Sequence, residues 1–137
     1  MSITLLTDLF YTMYGLFSLQ MSQVSDLVTK FNILDNAMQQ TFPKVPPTLV
    51  VSLIFDKQAN RSDLYTLEMN LKPGQDTDDI RERVIQRTGM SPAFYLKGTK
   101  MIVSHPLDLD FLKWINDQEG IVSIKGSKYS AGGSSDF

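Results

Sequence analysis

Large apolar residues fill the first forty positions at helical intervals. Leu5, Leu9, Met13 and Leu16 recur three and four apart, shadowed by Leu6, Phe10 and Phe17. Val24, Leu27, Val28, Phe31, Leu34 and Met38 continue the spacing. The pattern predicts an N-terminal helical appendage over residues 1–40, in two segments that bend near Gly15 or Met21-Ser22. Thr41-Phe-Pro-Lys-Val-Pro-Pro47 cannot propagate a helix and reads as a Pro-rich linker over 41–47.

From Thr48 the pattern changes. Thr48 to Phe55 is a short run that is apolar on both faces and reads as a buried strand. Asp63 to Lys72 alternates cleanly: Tyr65, Leu67, Met69 and Leu71 point one way, Thr66, Glu68 and Asn70 the other. Pro73-Gly74 is a turn. Asp76 or Thr77 caps a helix that buries Ile80, Val84 and Ile85 and stops at Gly89. Ala93–Lys97 and Lys100–Ser104 form a hairpin around Gly98-Thr99. Asp108 caps a last helix carrying Phe111, Trp114 and Ile115, and Ile121 to Lys125 is the final strand, extending toward Tyr129.

This order predicts an α+β two-layer sandwich over 48–129, a mainly antiparallel sheet with helices on one face, and a small polar tail over 130–137 that is flexible. From Asp63 onward the elements read β-α-β-β-α-β, the ferredoxin-like order. The run at 48–55 is then an extra strand. It raises a difficulty, because the first strand of that order is central and both its neighbours are taken.

The chain has 137 residues, 42% of them hydrophobic, which suffices for a single core. Thirteen basic residues against fifteen acidic give a net charge of −2, which argues against nucleic-acid binding through bulk positive charge. The absence of cysteine removes disulfides, thiolate nucleophiles and cysteine-held metals. The start lacks the features of a secretory signal, so the expected location is cytoplasmic. The apolar stretch from Ile3 to Met21 contains Asp8 and has no flanking basic residue, so no membrane span is expected.

Nothing in the pattern assembles a catalytic group, a metal site or a cofactor site. His105 is the one histidine, and Ser104 beside it points to the opposite face of a strand. Asp76, Asp78 and Asp79 suit a helix start better than a calcium loop. Arg81, Arg83 and Arg87 read as a solvated helix face beside Asp79 and Glu82. Lys97, Lys100, Lys125 and Lys128 converge on a basic edge if the hairpin and the last strand are neighbours. That edge is the basis for an alternative reading as a weak nucleic-acid binder, although lysines also protect sheet edges. A small-molecule-sensing ferredoxin-like domain is a further alternative.

The leading expectation is a non-enzymatic interaction or regulatory protein that self-associates as a homodimer or holds a protein partner. Asp8 and Asp26 are the charges among the first 29 residues, too few to solvate a free helix. Leu9, Phe10, Met13 and Phe17 are the expected partner-binding residues, with Thr66, Glu68 and Asn70 on the polar face of the sheet as a second surface.

Overall fold

A computed structural model describes residues 2–129, and within them the side chains of 7–16 and 19–129. The expected flexible tail lies outside the described residues. The chain divides into two compact units, Met1–Ala37 and Met38–Phe137.

The first unit is helical. A single helix, α1, runs over Ser2–Thr41 without interruption at Gly15 or Ser22. One glycine without a proline costs a helix only about 1 kcal/mol, too little to break a run of good helix formers. From Met38 onward α1 belongs to the second unit, where Met38 is buried with Phe42 and Val45. The proline-rich segment after it is tied down by three hydrogen bonds at Lys44. Lys44 donates its backbone N–H to Asn116 Oδ1 at 3.1 Å and its Nζ to the Gln118 carbonyl at 3.0 Å. The Ile124 N–H donates to the Lys44 carbonyl at 2.9 Å.

The expected strand at 48–55 is a helix, α2, over Pro47–Gln58. A short run that is apolar on both sides fits a buried strand or a buried helix equally well by periodicity. Proline decides between them. Pro46 is extended at the N-cap and Pro47 occupies the first helical position, where no N–H is required. Leu49, Val50, Leu53 and Asp56 then form the buried stripe. No extra strand competes for the sheet, which removes the topological difficulty.

The sheet holds β1 (Leu64–Leu71), β2 (Ala93–Tyr95), β3 (Lys100–Pro106) and β4 (Ile121–Lys128). Its order is β2-β3-β1-β4, and every pairing is antiparallel. The expected alternation holds in β1: Tyr65, Leu67, Met69 and Leu71 are buried. They join Met101, Val103 and Ile124 in one core with the helices α2, α3 (Thr77–Thr88) and α4 (Leu109–Asn116). Burying each large apolar side chain contributes about 1.5–3 kcal/mol. The helix starts follow the expected chemistry. Asp76 accepts from the N–H groups of Asp78 and Asp79, and Asp108 accepts from Phe111 N–H at 2.7 Å.

The hairpin from β2 to β3 turns through left-handed backbone at Leu96 (φ 54°), Lys97 (φ 57°) and Gly98 (φ 81°). The Gly98 N–H donates to the Tyr95 carbonyl, giving a turn with positive φ at both central residues. Left-handed backbone costs a residue with a Cβ about 1–2 kcal/mol, and Leu96 is 67% exposed, so burial offsets little of this. The double substitution Leu96→Asn, Lys97→Gly is therefore expected to stabilise the protein by about 1–2 kcal/mol. Urea unfolding of the full chain measures it; an unchanged midpoint would show that the turn is not strained.

Candidate functional site

Two surfaces, the long helix and the open sheet face, carry the residues singled out by sequence, and a cluster around Asp56 adds a third.

On α1, Leu9, Phe10 and Met13 are 58–69% exposed, and apolar residues from Val24 to Leu34 continue the exposed run. The Phe17 side chain lies outside the described residues. Charge is sparse: Lys30 pairs with Asp26 at 2.9 Å along the helix. Thr12 and Thr29 return their hydroxyls to backbone carbonyls one turn back, at 2.9 and 3.0 Å, which lowers their demand for water. Among the described residues, no helix is long and apolar enough to cross a membrane.

The open sheet face carries Thr66, Glu68 and Asn70 on the central strand β1. Each is partnered across the sheet. Thr66 shares a hydroxyl hydrogen bond with Ser104 at 3.1 Å, and Asn70 Nδ2 donates to Ser123 Oγ at 2.9 Å. Glu68 forms an ion pair with Lys100 on β3 and sits in register with Lys125 on β4. The Lys100 hydrogen bond holds the Glu68 carboxyl below its ordinary pKa against the opposing cost of burial. These cross-strand pairs satisfy one another and make the face a polar ladder.

The four lysines separate. Lys100 and Lys125 flank Glu68 on the open face, whereas Lys97 sits in the hairpin turn. Lys128 pairs in register with Tyr65, which places it on the core side, where its Nζ reaches Asp56 at 3.0 Å and Asp63 at 2.9 Å. The arginines of α3 are engaged as well. Arg81 pairs with Asp78 and Arg83 with Asp79, and Arg87 lies over the Trp114 ring. His105 rests against Phe111, ring centres 5.0 Å apart, while Ser104 points to the other face and bonds Thr66.

The sequence reading missed the Asp56 cluster. Asp56 follows the run read as a strand; in the structure it ends the buried stripe of α2 and is 2% exposed. Its Oδ1 accepts from Lys128 Nζ at 3.0 Å and from Arg61 at 3.1 Å, and its Oδ2 accepts from the Tyr65 hydroxyl at 2.7 Å. Ser52 bonds the same hydroxyl at 2.8 Å. The signal was present: Leu49, Leu53 and Asp56 are spaced four and three apart, one face of a helix. At strand spacing the same three residues do not share a face, so the expectation of a strand hides it. A cleft of about 250 Å³ opens beside the cluster, lined by Leu53, Asp56, Arg61 and Leu107 among others.

Comparison with known proteins finds no matching family model, no matching curated protein and no matching solved structure. The functional reading therefore rests on the residues. Both oxygens of the Asp56 carboxylate accept protein donors, and its geometry is that of a staple between α2, β1 and β4. Among the described residues, no three carboxylate or histidine side chains gather as metal ligands would.

The staple has a pH signature. Burial works to raise the Asp56 pKa, but hydrogen bonds from Tyr65, Lys128 and Arg61 outweigh it, and the folded-state value lies below the ordinary one. Its contribution is thus fully present above the unfolded carboxyl pKa of about 3.9 and is lost as pH falls through the lower folded value. Asp56→Asn is expected to cost about 1–3 kcal/mol at pH 7, with the deficit shrinking on acidification below about pH 4. Urea unfolding of both proteins between pH 7 and pH 2 measures it; a deficit constant over that range would contradict the staple.

Proposed function

We propose that this chain is a non-enzymatic interaction protein that acts by self-association through its N-terminal helix. The observation that carries the reading is the run of exposed large apolar side chains along α1, from Leu9 to Leu34, with few ionised groups among them. Fully covering each would contribute about 1.5–3 kcal/mol gross, so a partner that shields even half of them meets the cost of association. Exposed apolar surface of this extent marks an interaction site.

The second unit follows the helical one along the chain. Its β-α-β-β-α-β element order and β2-β3-β1-β4 strand order support reading it as ferredoxin-like. Its polar face, with Thr66, Glu68 and Asn70, is paired across its own strands. The same pairing speaks against the lysine edge as the principal surface, because Lys100 and Lys128 already neutralise carboxylates.

Light scattering on the full chain after size exclusion, at about 10 μM, tests the reading. A mass at an integral multiple of 15.5 kDa, from twofold upward, is expected. A single-chain mass with the helical circular dichroism intact would overturn it.

A further inference from the structure

A repeat of seven runs through the apolar positions of α1, with Tyr11, Leu19 and Ile33 outside its seam. One set, Phe10, Phe17, Val24 and Phe31, recurs at every seventh position. A second set, Met13, Gln20, Leu27 and Leu34, follows each of these three residues later. These are the a and d positions of a heptad. The opposite, f, positions are Asp8, Gly15, Ser22, Thr29 and Asn36, all small or polar. The described a and d residues from Phe10 to Leu34 that are apolar are 41–69% exposed. The next a position, Met38, is buried in the second unit, so the stripe ends where that core begins.

We infer that α1 forms a parallel, in-register coiled coil with a second copy of the same chain. The inference rests on the self-association reading above and adds its partner, orientation and register. Two features choose the second copy.

The first is the d position at Gln20. In a parallel, in-register pair each layer faces its own copy, and the Gln20 amides hydrogen-bond each other across the seam. In any antiparallel register a faces d, so Gln20 would lie against Phe10, Phe17, Val24 or Phe31. The buried amide would then have no partner. A parallel pair slipped by one heptad separates the two glutamines with the same result.

The second feature is the flank. In a parallel coil, a g residue meets the e residue five positions on in the other helix. The four such pairs are Leu9 with Tyr14, Leu16 with Met21, Gln23 with Val28, and Lys30 with Asp35. Apolar residues meet apolar residues in the first half, and the one cationic g position meets the one anionic e position. No like charges oppose. Lys30 is exposed and pairs with Asp26 along its own helix at 2.9 Å. Four heptads present about sixteen a, d, e and g side chains on each helix, close to the twenty or so a side of a standard stable interface. The apolar e and g residues of the first half widen the seam beyond a bare a/d stripe, and the assembly's mass counts its strands.

The chain's lack of cysteine makes single substitutions clean reporters. Met13→Cys and Leu34→Cys, both d positions that leave Gln20 in place, lie three heptads, about 32 Å, apart along the helix. A disulfide requires the Cα atoms within about 7 Å, so only a parallel, in-register coil links each position to itself. Full-length chains carrying either substitution are expected to form disulfide-linked dimers under mild oxidation, and Ser22→Cys on the f face is expected to stay unlinked. Linkage at only one of the two seam positions, at neither, or equally at Ser22→Cys would overturn the inference. Leu27→Asp is expected to lower the light-scattering mass to a single chain at about 10 μM, and Thr29→Asp to leave the oligomer intact. An oligomer that survives Leu27→Asp would overturn the seam while the self-association reading stands; a monomeric wild type would remove both.

Discussion

Water is a poor solvent for the side chains that α1 presents, and that mismatch governs this protein. A helix of 40 residues normally sorts its apolar side chains onto a face that its own chain covers. Here the covering begins only at Met38, and the turns before it carry Phe10, Phe31 and their neighbours in the open. Their hydroxyl-bearing neighbours, Thr12 and Thr29, turn back onto the helix backbone. With few charges among them, these exposed apolar side chains gain more from a second apolar surface than from solvent.

The second unit meets the opposite constraint. Its sheet must bury one face and leave the other wet, and it does so with opposite chemistries on alternate residues of the same strands. Tyr65, Leu67 and Met69 pack inward, while Thr66, Glu68 and Asn70 bond across the sheet to Ser104, Lys100 and Ser123. One charge crosses that division. Asp56 is buried near the C-terminal end of α2, where the helix dipole disfavours an anion. Lys128, Arg61 and Tyr65 compensate it from β4, the loop after α2 and β1. A buried carboxylate with three donors ties elements distant in sequence into one arrangement, because any other packing leaves the charge without partners.

Local signals read correctly wherever one residue type has one structural use. Alternation in β1, the caps at Asp76 and Asp108, and the stop at Gly89 are short-range effects, and each stands where the pattern placed it. The run at 48–55 misled because β-branched and apolar residues on all sides satisfy a buried strand and a buried helix alike. That single misassignment also concealed Asp56, since its place on a buried stripe exists only at helical spacing. The bend expected near Gly15 failed for a different reason: one glycine is a weak breaker when its neighbours favour helix.

What the amino-acid order alone determined is the short-range physics: which segments are amphipathic, at what period, and where they start and stop, together with the shortage of charge in the first third. These depend on residues within a few positions of one another. Tertiary structure decided the rest. It put α2 over the sheet, set the order β2-β3-β1-β4, and sent Lys128 to Asp56 and Lys100 to Glu68. Partners 72 and 32 residues apart are chosen by which faces can be buried together, and a linear pattern does not record that choice.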